Sequence, residues 1–186
     1  WCDCWCVCCS ASSWGGGGAV CLCGLRDEGE ASPTESARDI LRRVTCVCGG
    51  GTPTALSTAQ VDRLLGGFRA QLDLSGVREW TFEANPGSVS ERKAKLLHDF
   101  GVNRISLGVQ SFDEELLQLL GREHSAAQAE ASFQLLRLAG FDILHIYLIF
   151  GLPGQTPAHC EATFRRPVPL GPDRLWAFGP PFYGAP

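Results

Sequence analysis

The sequence predicts an α/β protein built on a parallel sheet, because strand patterns and helix patterns alternate along most of the chain. Five apolar runs have the length and composition of strands, and five amphipathic patterns follow them as predicted helices. Such alternation indicates right-handed βα units. The predicted strands are 44–48, 79–84, 104–109, 143–150 and 174–178, and the predicted helices are 57–72, 90–100, 113–120, 126–139 and 157–166.

Residues at the helix ends agree with this pattern. Ser57 and Ser90 precede helical runs at positions where a hydroxyl can serve as the N-cap. Gly101 and Gly140 follow helical runs at the C′ position, where glycine is favoured. The sequence therefore predicts both where these helices begin and where they end.

Composition limits the classes of protein to consider. The chain has 186 residues, of which 45% are apolar, which is enough for one domain or for part of a larger one. A formal charge of −4 without a basic stripe argues against a nucleic-acid partner. No apolar run is long enough to cross a bilayer and no secretion signal is evident, so we expect a soluble, cytoplasmic protein. Because the sequence lacks methionine and begins with Trp1, we expect a fragment or a processed chain.

An atypical Cys/Gly-rich segment occupies residues 1–43, and we separate it from a core at 44–186. It shows no sustained helical or strand period. Cysteines clustered at one end are more typical of metal ligation than of a disulfide framework. Cys2, Cys6 and Cys9 form C-x-x-x-C-x-x-C, which can hold three irons of a [4Fe-4S] cluster and leave the fourth iron open. Two interpretations remain, which are cluster ligation and an aberrant, out-of-frame sequence.

The most informative segment is VTCVCGGGTPT at 44–54, which predicts a strand, a tight turn and the start of a helix. Three consecutive glycines let the backbone approach a ligand closely and present its N–H groups. Pro53 then fixes the direction in which the chain leaves the turn. The alternative interpretation is a flexible turn that joins two elements.

Polar residues stand at the carboxyl ends of the predicted strands. Glu83 and Gln110 each follow apolar residues at a strand end, and Gly51 follows the first strand. In a parallel sheet or barrel these ends share one face, which is where ligands bind. The sequence therefore predicts that these residues share one site. The alternatives are that Glu83 is an exposed acid and that the Gln110 amide caps a turn.

We assign no chemistry to three of the histidines. His98 lies late in a predicted helix, where a cation suits the helix dipole, and His124 lies in a loop. His145 alternates with apolar neighbours along a strand, which favours a packed or hydrogen-bonded side chain over a ligand.

Four motifs carry a family resemblance: GGGTPT, FEANPGS, GVNRISLGVQSFDEELLQLLGREHS and LIFGLPGQT. In this order and spacing they resemble radical SAM proteins related to oxygen-independent coproporphyrinogen III oxidase, over about residues 45–161. Within that group, EANP, QSF and LGR-x-H look most like the haem chaperone (HemW) branch. The dehydrogenase branch more often shows an acidic Asp-Pro-Arg and Gln-Asp-Phe at these places.

The resemblance implies an incomplete (βα)6 TIM-like partial barrel that holds a [4Fe-4S] cluster and S-adenosylmethionine at the carboxyl ends of its strands. Cys2, Cys6 and Cys9 are the cluster ligands it implies. The resemblance also implies contacts to S-adenosylmethionine. Gly50, Gly51 and Thr52 would line its methionyl group, and Glu83 and Gln110 would contact its polar groups. Arg122 would contact the carboxylate side.

The chain departs from the family pattern in three places. Tyr147 stands where the family has an aspartate, and a phenol is not an always-ionised acceptor. Cys8 stands where an aromatic residue is expected before the last cluster cysteine. The carboxyl-terminal domain, where the chaperone branch is thought to take up haem, is expected to lie largely or wholly outside this chain.

The resemblance implies a haem chaperone that carries haem as cargo and passes it to haem-accepting proteins, with the cluster and S-adenosylmethionine as cofactors. The alternative is an oxygen-independent coproporphyrinogen III dehydrogenase, which converts its substrate to protoporphyrinogen IX by oxidative decarboxylation. A third interpretation is a truncated copy that cannot hold a cluster.

Overall fold

One seven-stranded sheet organises the chain, and its strands lie side by side in the order of the sequence. The computed structural model describes residues 5–9, 20–25, 45–72 and 74–179, with the backbone alone in the first two ranges. Strands β1 to β3 are antiparallel, and β3 to β7 are parallel. The strands are β1 Trp5–Cys9, β2 Val20–Leu25, β3 Thr45–Gly49, β4 Glu79–Ala84, β5 Arg104–Gln110, β6 Ile143–Ile149 and β7 Arg174–Phe178.

Helices connect the parallel strands, as the sequence predicts. Ser57 and Ser90 each accept an N-cap hydrogen bond from the backbone N–H three residues later. Gly101 and Gly140 follow helices with φ values of 94° and 97°, which confirms the predicted helix ends. The helices are α1 Thr58–Gln71, α2 Glu91–Asp99, α3 Glu114–Leu119, α4 Ala126–Leu138 and α5 Pro157–Arg165, with 3₁₀ turns at Pro53–Ala55, Pro86–Ser88 and Val168–Leu170.

The predicted strands and helices of the core are all present, with boundaries that move by only one or two residues. This is the parallel α/β sheet of an incomplete barrel. The main addition lies in segment 1–43, where the backbone forms β1 and β2. Both strands are rich in cysteine and contain no charged residue, so their sequence lacks the alternation of apolar and polar residues from which a half-buried strand is recognised.

Alternation along the parallel strands divides the sheet into two faces. One face carries the apolar side chains that pack against the helices in a single core. The other face carries polar side chains, including those of Glu83, Ser106 and Gln110. The largest fully buried core side chains are Phe82, Phe133, Phe141, Leu65, Leu97, Ile105, Leu107, Leu117, Leu136, Leu144, Ile146 and Leu148.

Two further observations concern the exposed parts of the fold. All five residues of β7 are exposed, including Trp176 and Phe178. Within the described ranges, no helix has the length and apolar character needed to span a membrane.

Candidate functional site

A cavity of about 430 Å³ lies at the carboxyl ends of the parallel strands. The loop after β3 and residues from β4 to β7 all contribute to its walls. This position is the face where ligands bind in parallel barrels and open α/β sheets. The cavity is lined by Gly51, Thr52, Glu83, Ala84, Asn85, Ser106, Gly108, Gln110, Arg122, Tyr147 and Phe178.

Glu83 crosses from β4 to the glycine turn that follows β3. Its Oε2 accepts a hydrogen bond of 3.2 Å from the Gly50 backbone N–H. A Cβ at Gly49 would lie 2.5–2.6 Å from the Glu83 carboxyl atoms, so only glycine admits the side chain there. The first glycine of the turn is therefore required by its neighbour on β4, while the next two have φ values of 92° and 119°.

Burial raises the pKa of the Glu83 carboxyl, and the hydrogen bond from Gly50 N–H lowers it in part. Because the Gly50 N–H occupies only part of the acceptor capacity of the carboxylate, Glu83 can accept further hydrogen bonds at the cavity. A ligand hydroxyl or amino group that donates to it would stabilise the charged form.

Gln110 folds back over its own strand. A Cβ at Gly108 would lie 2.8 Å from the Gln110 side-chain nitrogen, so glycine at that position makes room for the amide. The pairing of β5 with β6 shifts its register between Gly108 and Gln110. Gln110 is also the one non-glycine residue of the described ranges with a positive φ, at 69°. The end of β5 is thus distorted where it meets the cavity.

Arg122 reaches the cavity from the segment after α3. The backbone N–H of Arg122 donates to the carbonyl oxygen of Leu117 at 2.9 Å, which fixes the chain where the helix ends. Its Nε atom is buried and has no hydrogen-bond partner among the described residues. A buried donor without a partner is costly, and an anionic group in the cavity would satisfy it.

Tyr147 forms an aromatic wall with two residues of β7. Its ring stacks on Phe178 with centroids 5.6 Å apart and on Trp176 at 6.4 Å. The phenol oxygen lies 3.5 Å from the Ser106 hydroxyl, at the limit of a hydrogen bond. In place of the carboxylate that the resemblance implies, the cavity has a flat apolar surface.

A polar clamp joins the glycine loop to the loop after β4, and we define it as Thr54, Asn85, Ser88 and Lys93. The Lys93 ammonium donates to the Thr54 carbonyl at 2.5 Å and to the Ser88 carbonyl at 2.7 Å. The Thr54 hydroxyl accepts from the Asn85 N–H at 3.1 Å and lies 2.6 Å from the Ser88 hydroxyl. Lys93 is only 8% exposed. The clamp therefore joins the two loops that supply Thr52 and Asn85 to the cavity lining.

Most of the residues predicted from the sequence meet at this cavity. Gly50 lies just outside its lining and contacts Glu83. The structure therefore brings the predicted groups together, while their roles toward a ligand stay predictions. The predicted residues in the lining are Gly51, Thr52, Glu83, Gln110, Arg122 and Tyr147.

The predicted site residues leave out five residues of the lining, which are Ala84, Asn85, Ser106, Gly108 and Phe178. Ser106 and Gly108 alternate with Gln110 along β5, so the strand period could have placed them on the same face. Asn85 directly follows β4, where a polar strand end was already visible. Phe178 carries no such signal, since its place depends on how β7 packs beside β6.

The side chains of these three histidines are packed or hydrogen-bonded within the fold. His98 packs edge-on against Phe141, with ring centroids 5.6 Å apart. His145 is 3% exposed and accepts a hydrogen bond of 3.2 Å from the Trp176 indole N–H. His124 is also 3% exposed, and its Nε2 lies 3.0 Å from the Val109 carbonyl oxygen.

The predicted cluster ligands fall at the edge of what the structure describes. Cys2 lies outside the described residues, and Cys6 and Cys9 lie in β1, for which the backbone alone is defined. Their assignment as ligands remains a prediction. Elsewhere, the described side chains contain no group of three or more potential metal ligands.

Comparison with known protein families supplies the decisive observation, because the radical SAM superfamily matches residues 6–166. The chain belongs to the radical SAM superfamily. The match covers β3 to β6 and therefore the strands that form most of the cavity.

Two relatives illustrate what this radical SAM chain is similar to. Heme chaperone HemW of Lactococcus lactis is 50% identical over 112 residues, which are 60% of this chain and 30% of the relative. Oxygen-independent coproporphyrinogen III oxidase of Escherichia coli is 38% identical over 130 residues, covering 70% of this chain and 28% of the relative. The radical SAM chain thus spans about a third of the length of its curated relatives.

A solved structure supports the same relationship. Coproporphyrinogen III oxidase (HemN) from Escherichia coli, a radical SAM enzyme, superposes with a TM-score of 0.65 at 36% sequence identity. The superposition covers 72% of this chain and 31% of that chain. The parallel sheet and its connecting helices are therefore a radical SAM fold.

The described groups fit S-adenosylmethionine, a cofactor that the family implies. Pockets for small ligands commonly measure roughly 300–1,000 Å³, and this cavity falls within that range at about 430 Å³. Glu83 is a partly satisfied acceptor, Arg122 has an unpartnered buried Nε, and Tyr147 and Phe178 supply an apolar wall. A ligand with an amino group, a carboxylate, hydroxyls and a flat ring matches this set.

Proposed function

We propose that this chain is the cofactor-binding part of a radical SAM haem chaperone, which holds haem as cargo for delivery to haem-accepting proteins. The cavity in which Glu83, Gln110 and Arg122 converge beside the glycine turn carries the cofactor-binding part of the proposal. The identity of 50% to a heme chaperone HemW favours this branch over others. Haem uptake itself is assigned to the longer protein, since the matching relatives extend well beyond this region.

Each polar residue of the cavity has a distinct proposed task. The Glu83 carboxylate accepts hydrogen bonds from hydroxyl or amino groups, and the Gln110 amide can donate and accept. The Arg122 guanidinium pairs with the carboxylate of the methionyl group. Backbone N–H groups of the turn at Gly51 and Thr52 lie at the cavity wall, where they contact the same ligand.

In an enzyme, the [4Fe-4S] cluster and S-adenosylmethionine would together supply one-electron chemistry. In a chaperone, they would instead stabilise the fold that supports the haem-binding part. The residues of this chain bind and orient the cofactor and keep one side of it away from water. Cys2, Cys6 and Cys9 are the proposed cluster ligands.

A second candidate function is oxidative decarboxylation of coproporphyrinogen III. The superposition on coproporphyrinogen III oxidase, with a TM-score of 0.65, is the observation that favours it. The two candidates share the cofactor site, so that site alone does not separate them. The two candidate functions differ in what happens to the porphyrin: a chaperone passes haem on unchanged, whereas the dehydrogenase converts coproporphyrinogen III into protoporphyrinogen IX.

The deciding experiment uses the full-length protein, reconstituted anaerobically with iron, sulfide and S-adenosylmethionine. Haem titration should shift the Soret band, and addition of an apo-acceptor should transfer the haem. A parallel assay with coproporphyrinogen III should give no protoporphyrinogen IX. Formation of protoporphyrinogen without haem transfer would replace the chaperone proposal with the dehydrogenase.

A matched pair of variants links the outcome to the cavity. Arg122→Gln removes a half-buried cation from the lining, whereas Arg92→Gln removes an arginine on the exposed side of α2. S-adenosylmethionine affinity should fall by about tenfold or more for Arg122→Gln, because a charge-assisted pair is lost. Equal affinities for the two variants would contradict the role assigned to Arg122.

A further inference from the structure

The γ-turn at the end of β5 is strained. Its central residue, Gln110, has a φ value of 69°, which residues other than glycine rarely adopt. The Ser111 N–H donates to the Val109 carbonyl oxygen at 2.9 Å, closing a three-residue turn around Gln110. A γ-turn with a positive central φ is rare and persists only where its surroundings hold it in place.

His124 contacts this turn from the other side. Its Nε2 lies 3.0 Å from the same Val109 carbonyl oxygen that closes the turn. Because a carbonyl only accepts hydrogen bonds, Nε2 must carry the proton. The buried Nδ1 has no hydrogen-bond partner among the described residues, which agrees with this tautomer.

The charge state of His124 is consistent with that hydrogen bond. Burial lowers the pKa of the imidazole, and the bond to Val109 raises it in part. The Arg122 guanidinium also lowers the pKa, and Glu114 raises it. A neutral ring with one proton, held on Nε2, is the form that results at neutral pH.

The strained turn determines where the Gln110 amide points. With φ at 69° the side chain folds back over Gly108 and enters the cavity beside Arg122. In ordinary strand geometry the chain direction at residue 110 would change, and the amide would leave this position. Arg122 and His124 belong to one segment after α3, so this segment supplies both a cavity cation and a support for the turn.

We propose that His124 is a positioning residue, which holds Gln110 in its left-handed conformation through the Val109 carbonyl and thereby aims the amide into the cavity. The part of this inference that concerns a ligand rests on the proposed function. The part that concerns the turn does not, because backbone geometry can be measured without ligand.

The test compares three variants of the full-length protein. His124→Leu removes the donor while Val109 keeps its bond from Ser111, so the fold should survive. His124→Gln places an amide N–H near the former Nε2, and His98→Leu changes an exposed histidine far from the turn. The ligand-free measurement is amide hydrogen exchange by NMR, read at Ser111.

We expect His124→Leu to speed exchange at Ser111 by about tenfold or more relative to amides of β4, since the turn loses its support. S-adenosylmethionine affinity should fall by about tenfold as well, and His124→Gln should restore both values to within about threefold of the wild type. His98→Leu should leave both unchanged.

The outcomes separate the two proposals. If the wild type does not bind S-adenosylmethionine, the proposed function fails, and Ser111 exchange still decides the role of His124. Unchanged exchange at Ser111 in His124→Leu would overturn the inference. So would a uniform rise at all amides, because that result indicates loss of stability alone.

Discussion

At the scale of single residues, Glu83 is set apart by its partly buried charge. Burial raises the pKa of its carboxyl, which means that the folded protein opposes the ionised form. Binding groups often carry such a cost because the arrangement that suits a ligand does not suit the empty fold. Glu83 therefore offers a direct test of whether the cavity was shaped for a ligand.

We predict that Glu83→Gln stabilises the protein and weakens ligand binding. The amide oxygen can still accept from Gly50 N–H, while the buried charge is removed, so the free energy of unfolding at pH 7 should rise by up to about 1 kcal/mol. Denaturant unfolding and S-adenosylmethionine binding measure the two effects. Glu115→Gln, on the exposed side of α3, serves as the control and should change neither appreciably. Tighter ligand binding by Glu83→Gln would refute the assigned contact.

Tyr147 stands where the family resemblance implies an aspartate. Its ring gains stacking contacts with Phe178 and Trp176, and its hydroxyl has only a marginal bond to Ser106. The side chain is therefore held by aromatic packing more than by hydrogen bonding.

We predict that Tyr147→Asp lowers stability and raises affinity for S-adenosylmethionine. Loss of the aromatic pairs should cost about 1 kcal/mol, and the new carboxylate can accept from ligand hydroxyls. Tyr147→Phe keeps the stacking and should match the wild type in both properties. Calorimetry of ligand binding and thermal unfolding of all three proteins make the comparison. An affinity loss in Tyr147→Asp would contradict this prediction and would mean that stacking on the Tyr147 ring contributes more to ligand binding than the new carboxylate does.

At the scale of elements, the polar clamp makes the loops after β3 and β4 behave as one unit. Lys93 projects from α2 and donates to one carbonyl in each loop. Burial lowers the pKa of its ammonium group. Helix α2 thus supports the cavity without contributing to its lining.

We predict that Lys93→Met destabilises the protein by about 1–3 kcal/mol, because buried carbonyls of Thr54 and Ser88 lose their partner. Both loops should become more mobile together, which amide hydrogen exchange at Gly51 and Gly87 can detect. Lys95→Met, which removes an exposed ion pair with Asp99 in the same helix, should cost less than about 0.5 kcal/mol. Equal losses for the two variants would show that the clamp is not the cause.

At the scale of the whole molecule, buried titratable groups set the dependence of stability on pH. Burial lowers the pKa of His124 and of His145, so the unfolded chain binds more protons than the folded chain below the usual value of 6.5. Their contribution to stability is complete above that value and is lost as the pH falls below it. Glu83 acts in the opposite direction, because its raised pKa favours the folded state while the carboxyl is protonated.

We predict that the free energy of unfolding decreases as the pH is lowered below 6.5, the usual value for histidine. Glu83→Gln should make this decrease steeper, because it removes the group whose contribution has the opposite sign. Denaturant unfolding at a series of pH values measures both slopes. A flat profile in Glu83→Gln would contradict the lowered histidine pKa values.

Much of the fold could be predicted because local signals and the tertiary structure agree. The N-caps Ser57 and Ser90 and the C′ glycines Gly101 and Gly140 define helix ends that the structure reproduces. The alternation of strands and helices was enough to predict a parallel sheet. Strands β1 and β2 were not predicted because their cysteine-rich sequences show no alternation of apolar and polar residues.

The site was only partly predictable from the sequence. Glu83 and Gln110 could be found because each ends an apolar strand, but the strain at Gln110 depends on the register shift of β5 and on His124. The support from Lys93 was invisible, since its partners are backbone carbonyls that no side-chain pattern reveals. Contacts between a side chain and distant backbone lie beyond periodicity and motif spacing.

The placement of Trp176 gives the molecule a built-in optical reporter. Its indole stacks on a cavity residue, Tyr147, on one side and donates to His145 on the other. Indole emission depends on nearby charge and polarity, so its fluorescence should respond to cavity occupancy and also to protonation of His145. Trp80 is only 4% exposed, and its indole N–H donates to the Cys48 thiol within the core, so its emission should stay constant and serve as an internal reference. Because the chain has five tryptophans, the difference in emission between the wild type and Trp176→Phe isolates the response of this one indole to both events.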